Sequence, residues 1–397
     1  MKVSKRTLIY MFFLYTWLPA HAIYALIPGG YKLLLYLRLF TSVNILISHF
    51  GEMKRATRYF LVAGYSIINI ASTVLHNTTR VSKWFDVLEF CLCLVAMLLF
   101  FQSVYCSDRS DRDKLRKAVL SLLFLYTIGT LISCFTMAAD DRTRQGVYFF
   151  VDSRANTAQI LMTLNSMLLV LDMQLSGKTR RTTKILFALC FICMIGLKSG
   201  QGIMMMGVEF LCAFMLLTKR DKKVTKLLSP AGVLILSAGL NYLVVSQVYL
   251  RFEPIVFFIE NVLRKEASLT GRDLIFQSIG SIYLQSPWIG FGYENTIVSN
   301  ALGSISAAYN SAHNSLFQIL IEVGAIGFVF YLGLIYVALK GPYKRQTKDM
   351  MIAYGAICAF IIGGLVSLSC FNVYFWVFLA FVLTNESCGV AGVVENG

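Results

Sequence analysis

Residues suited to chemistry crowd into one stretch of the chain, Gly271 to Gly327. His313 is followed by Asn314, Gln318 and Glu322, spaced four apart, so the three share one face of a helix. An imidazole at the head of such a stripe can take a proton from a hydroxyl near neutral pH. Upstream, Arg272 and Asp273 precede Leu274, Ile275, Ile279, Ile282 and Tyr283 at helical spacing, with Gln277, Ser281 and Gln285 on the opposite face. Thr270 and Asp273 form a capping signature, and Pro287 stops the run. The spacing predicts an amphipathic helix on a membrane surface. In its first turn, the Arg272 guanidinium sits beside free backbone N–H groups, where it can grip a phosphate. On pattern alone, His313 is also readable as a water-exposed interfacial imidazole and Arg272 as a headgroup contact.

The elements that must position these residues are membrane helices. Of 397 residues, 57% are hydrophobic and only 14% charged, with mean hydropathy +0.66. Soluble domains carry about 25% charged residues. The expected fold class is all-α and polytopic, with spans over 8–27, 31–50, 59–75, 84–105, 118–138, 155–175, 182–198, 200–217, 227–248, 314–339, 349–369 and 370–385. The last two read as a possible re-entrant pair because 370–385 is short. The first reads as an uncleaved helix although Ala20-His21-Ala22 fits a signal-peptidase site. Gly324 and Gly327 would let a neighbouring helix approach the tenth span. The whole chain, 1–397, reads as one integral membrane domain, with 249–313 its long extracytoplasmic loop.

Charge placement orients this topology. With the N-terminus inside, cytoplasmic segments hold 24 of the 36 basic residues, including Arg109, Arg180 and Lys222. The net charge of +15 therefore reports orientation and contact with anionic lipid, not nucleic acid. Most of the ten cysteines lie within apolar runs, and no second cysteine pair or nearby histidine completes a metal site around Cys190 and Cys193. No P-loop glycine cluster is present, which argues against direct ATP use. Three further histidines, His21, His49 and His76, lack the combination of outer position, polar stripe and nearby arginine. Arg38, Asp86, Glu89 and Glu209 fall within spans, where they read as interhelical pairs or as the midplane charges of a transporter.

The block from Gly271-Arg272-Asp273 through Ser286-Pro287-Trp288-Ile289-Gly290-Phe291-Gly292 to His313-Asn314, Glu322, Gly324 and Gly327 resembles the Wzy/WaaL superfamily of bacterial O-antigen and capsular polysaccharide polymerases and O-antigen ligases. Asp152-Ser153-Arg154-Ala155-Asn156 resembles that family's outer Asn motif more loosely. Lys198-Ser199-Gly200-Gln201-Gly202 stands where many members carry Ser-Arg-Gly; Gln201 replaces the arginine and Lys198 is the substitute.

The resemblance implies a metal-independent glycosyltransferase of the bacterial cytoplasmic membrane, using undecaprenyl-diphosphate-linked oligosaccharide at the extracytoplasmic face without a cofactor. In that reading His313 and Arg272 are catalytic. Arg154, Asn156, Asn314, Gln318, Glu322 and Lys198 bind substrate. Membrane lipid, a chain-length regulator and a flippase are the implied partners. Polymerase is the preferred reading, O-antigen ligase the runner-up, and a lipid-linked oligosaccharide flippase the rival from another class.

Overall fold

The computed structural model describes residues 4–52, 57–76, 81–137, 147–218, 226–257, 260–261, 272–304 and 311–388. Among these the chain is helical, and the sole β feature is an isolated antiparallel bridge between Tyr148 and Ser153. The helices are α1 (Lys5–Trp17), α2 (His21–Tyr24), α3 (Gly30–His49), α4 (Thr57–His76), α5 (Val81–Cys106), α6 (Arg109–Thr136), α7 (Arg154–Ser176) and α8 (Arg181–Gly196). They continue as α9 (Gly200–Thr218), α10 (Pro230–Val245), α11 (Glu253–Phe257), α12 (Arg272–Tyr283), α13 (Thr296–Gly303), α14 (Ser315–Arg345), α15 (Lys348–Gly364) and α16 (Val373–Cys388).

Seven of the described helices are long and apolar enough to cross a membrane: α3, α4, α5, α6, α7, α9 and α14. The other five expected spans coincide with the shorter helices α1, α8, α10, α15 and α16. The fold is thus an all-α polytopic membrane protein. α15 has 17 residues, so it is roughly 25 Å long, short of a hydrocarbon core of about 30 Å. It is largely buried, packed along α9, α7 and α14, while α16 lies between α5 and α7. Helices surrounded by protein do not have to match the lipid thickness.

The first span departs from expectation. α1 stops at Trp17, and Pro19 separates it from α2. The His21 and Ala22 amides donate to the carbonyls of Val151 and Phe150, so the chain leaves the helix to brace the segment before α7. Residues of alternate loops gather at two ends of the bundle. Arg6 meets Asp111, Gln174 meets Asp349 and the Tyr354 hydroxyl reaches the Leu228 carbonyl at one end. At the other, Lys83 meets Glu294 and Asn372 meets Asn156. That is the alternation the charge pattern requires.

The charges inside spans pair internally. Arg38 forks onto both carboxylate oxygens of Glu89, whereas Asp86 pairs with Lys83 at 3.4 Å. Buried Glu209 accepts the Ser166 hydroxyl at 2.8 Å. Cys190 and Cys193 are both buried free thiols.

Candidate active site

His313 stands at the mouth of α14 on a turn held from three directions. Its φ of +47° lies in the left-handed region, uncommon for a residue with a side chain. Asn314 is the N-cap: its side-chain oxygen accepts the Phe317 amide at 3.2 Å. The same side chain donates to Asn241 Oδ1 of α10 at 2.6 Å and to the Leu365 carbonyl at 2.9 Å. Ser315 Oγ donates to the Ser367 carbonyl at 2.9 Å and accepts the Cys370 amide at 3.0 Å. From below, Gln318 Oε1 accepts the Ala312 amide at 2.9 Å, and Gln318 Nε2 donates to Glu322 Oε1 at 2.8 Å. Asn314, Gln318 and Glu322 are buried, while His313 is only half-buried. The stripe therefore meets protein along its length and ends at the backbone amide next to the imidazole.

Below Glu322 the helix breaks. Gly324 takes φ +60°, ψ −171°, a conformation essentially confined to glycine. The loop from Pro287 to Gly292 enters the break and replaces the lost ladder. Phe291 and Gly292 amides donate to the carbonyls of Ile321 and Glu322, both at 2.8 Å. In return the Ala325 and Ile326 amides donate to the carbonyls of Pro287 and Trp288, at 2.9 and 3.1 Å. A Cβ on Gly290 would lie 2.4 Å from the Glu322 carbonyl carbon, and one on Gly324 would lie 2.3 Å from that of Trp288. The expectation that Gly324 admits a neighbouring helix is thus corrected: it admits a loop. Gly327 does face a helix, since its Cβ would lie 3.1 Å from Ile68 of α4.

This docking brings α12 to α14. The apolar face of α12, Ile275, Phe276, Ile279 and Ile282, is buried with Val298, Leu302, Ala312 and Ile321 in a small separate core. Gln277, Ser281 and Gln285 face outward. The predicted amphipathic helix is present, but its apolar side is covered by protein. Arg272 is its first residue, four before Phe276, whose ring meets that of Phe317 edge-on at 6.1 Å. Phe317 in turn is four residues beyond His313. Thr270 and Gly271, the rest of the capping signature, lie outside the described residues.

A second group of expected residues gathers at the head of α7. Asp152 Oδ2 accepts the Tyr374 hydroxyl at 2.9 Å and Asn156 Nδ2 at 3.3 Å. Asn372 donates to Asn156 Oδ1 at 3.2 Å and to Gln159 Oε1 at 2.9 Å. Arg154 is half-buried on the first turn of α7. Burial, aided by Asp152, pushes the Tyr24 hydroxyl up to about 12, so it stays a neutral hydrogen-bonding group. The connection between α15 and α16 joins this group to the His313 turn, because it carries Leu365, Ser367, Cys370 and Asn372. Gln201 at the start of α9 donates to the hydroxyls of Ser367 and Ser369, anchoring that connection where an arginine was expected. Lys198 is exposed at the α8–α9 turn, with φ +50°.

Asn241, Ser367, Ser369, Asn372 and Tyr374 were missed from sequence. Only the short Ser367-Leu368-Ser369 interruption between two apolar runs signalled them. Among the described residues no group of three or more His, Cys, Asp or Glu is placed to hold a metal ion.

Residues 185–332 match the family model described as O-antigen ligase. The match covers 148 of the 397 residues and falls on the stretch whose motifs resemble the Wzy/WaaL superfamily. It contains Lys198, Arg272, His313, Asn314, Gln318 and Glu322, whereas Arg154 and Asn156 precede it. The chain is also similar to a protein of Rickettsia conorii (strain ATCC VR-613 / Malish 7) named as a candidate polysaccharide ligase. The two are 25% identical over 128 residues, covering 30% of this chain and 31% of that protein, so less than a third of the relative's length is matched.

Proposed function

We propose that the chain polymerises polysaccharide by joining oligosaccharide repeat units carried on undecaprenyl diphosphate, at the extracytoplasmic face of a bacterial cytoplasmic membrane. The observation that carries this reading is the His313 turn, fixed through Asn314, Ser315 and Gln318 while His313 itself is only half-buried. His313 takes the proton of an acceptor hydroxyl. The freed oxygen attacks the anomeric carbon of the donor, and the bond from that carbon to the diphosphate oxygen breaks. The carrier diphosphate leaves with the bonding electron pair, and attack opposite it inverts the anomeric centre. Arg272 and Arg154 balance the leaving charge. Asn156 and Lys198 contact the saccharide or diphosphate from the second group. Asn314, Gln318 and Glu322 act through the turn: they hold His313 in its left-handed conformation. The donor is already activated, so the reaction calls for no nucleotide, and no metal step is included.

Polymerase is preferred to ligase on charge. Besides Lys198, the outer loops carry nine basic residues, Arg142, Arg144, Arg154, Arg251 and Arg264 among them, against eight acidic ones. A near-neutral face is poorly suited to recruiting a multiply phosphorylated lipid A-core. The ligase reading draws on the description of the matched family and on the name of the Rickettsia protein. Against a transporter, Arg38 and Glu89 bond each other and Glu209 accepts a hydrogen bond from Ser166. The test is the surface glycan of a deletion strain. A polymerase mutant shows single repeat units on the acceptor. A bare acceptor, with long chains retained on the carrier lipid, would overturn the polymerase reading in favour of the ligase.

A further inference from the structure

Beside the Asp152 group the structure holds four aromatic rings in sequence. Tyr148 and His21 stack with centroids 4.1 Å apart and planes 12° from parallel. His21 meets Tyr24 edge-on at 5.1 Å, and Tyr24 meets Tyr31 at 6.0 Å. Tyr148 is 48% exposed and Tyr31 58% exposed. His21 covers one face of Tyr148, and about half of the residue remains exposed.

These rings stand on a braced backbone. The His21 and Ala22 amides bond to Val151 and Phe150, the Phe149 amide bonds to the Asp152 carbonyl at 2.9 Å, and Tyr148 bridges to Ser153. Three segments distant in sequence, the α1–α3 connection, the turn before α7 and the start of α16, therefore meet at one place. Asp152 is the hinge of that arrangement: its carboxylate is bonded by Tyr374 and Asn156. The edge of a saccharide ring carries hydroxyls that bond to carboxylate, amide and phenol groups, while its C–H face packs on an aromatic face. A flat, half-exposed ring beside a carboxylate, an amide and a phenol provides both halves of that recognition.

Tyrosines also gather at membrane interfaces as anchors. An anchor needs only an apolar body with a polar tip in the headgroup layer. It does not need a second ring stacked behind it, or a backbone pinned to a polar cluster.

We infer that Tyr148, backed by His21 and flanked by Tyr24 and the Asp152 group, is a stacking subsite for a sugar ring of the lipid-linked oligosaccharide. The inference rests on the glycosyltransferase reading and adds a specificity-determining surface to it. The α15–α16 connection bonds to both places, through Asn372 to Asn156 and through Leu365 to Asn314.

The test compares Tyr148→Phe, Tyr148→Trp and Tyr148→Leu in membranes containing equal amounts of each protein. The substrate is lipid-linked oligosaccharide extracted from a strain lacking this gene, and polymer formation is followed against its concentration. Stacking predicts that Phe and Trp keep an apparent KM within about twofold of the parent. Leu is apolar but has no flat face, and should raise KM on the order of tenfold, the equivalent of about 1.4 kcal/mol. If Leu performs as well as Phe, the ring is a membrane anchor and the subsite is refuted. His313→Ala runs in parallel. Polymer formation by that variant would refute the assignment of the base, whatever the Tyr148 series shows.

Discussion

Replacing Gly324 by Ala tests whether the loop-filled break in α14 is what holds the two halves of the site together. The added Cβ would lie 2.3 Å from the Trp288 carbonyl carbon and 2.4 Å from both Trp288 O and Ile289 N. All three are backbone atoms, so no side chain can swing away. The residue must also hold φ +60°, ψ −171°, where a non-glycine residue costs about 1–3 kcal/mol. Overpacking adds a further ~1–3 kcal/mol. The alternative is to expel the loop and straighten the helix. That gives up the four amide–carbonyl bonds of Phe291, Gly292, Ala325 and Ile326, each contributing about 1 kcal/mol, and straightening recovers some of them within the helix. Expulsion is therefore comparable in cost to strain, and the variant should relax that way. The Asn314 cap and the Gln318 bond remain, but α12 and Arg272 lose their tether to α14. A displacement near 1 Å lowers rate by about 100-fold, so polymer formation per unit protein should fall at least that far while the chain still reaches the membrane. Gly207→Ala and Gly239→Ala are matched controls, because a Cβ at either meets nothing within 4 Å. Wild-type activity and thermal stability in Gly324→Ala would refute the role of the break.

Three further outcomes are expected. His313→Ala should abolish polymer formation without loss of the protein from the membrane, as read from the glycan ladder beside a quantitative immunoblot. Arg272→Lys keeps the charge but loses the planar fork, so its rate should drop about tenfold or more in the membrane assay; equal activity would remove the bidentate contact. Gln285 is exposed on the outward side of the α12 segment. A single cysteine there, in a cysteine-free background, should react with an impermeant thiol reagent on intact cells, and labelling only after lysis would invert the topology.

How much of this was legible in sequence follows from what each feature depends on. Span positions were readable because burial in lipid acts on every residue of a helix, and twenty apolar residues leave little ambiguity. Pro19 interrupted the first span, and the cost of that interruption is offset by partners at Val151 and Phe150, more than a hundred residues away. No local pattern announces such partners. The stripe Asn314-Gln318-Glu322 was found by spacing, but its direction was not: spacing fixes which residues share a face, and neighbours fix what that face meets. Gly290, Gly292 and Gly324 were read as turn or packing glycines, although they serve a single contact between two segments. Asn241 and Asn372 lie in otherwise apolar surroundings, and their importance exists only once α10 and α16 are placed beside α14 and α7.

The buried stripe also accounts for why so polar a segment is kept inside an apolar helix. A left-handed histidine at the mouth of a helix is a strained turn, and left alone it would sample other conformations. The Ala312 amide, held by Gln318, fixes the residue before it, and the Asn314 cap fixes the residue after it. Gln318 can hold Ala312 only if its own amide nitrogen is oriented, which the Glu322 carboxylate does at 2.8 Å. Glu322 in turn sits at the loop-filled break, where its carbonyl accepts Gly292 and Ser72. Each member bonds the next, and the chain of bonds runs from the break to the Ala312 amide, one residue before His313. A polar network in a membrane helix is costly when partly satisfied and rigid when connected. Here its direction is informative: it terminates on the turn that carries His313, which is where a base must be held still while its proton moves.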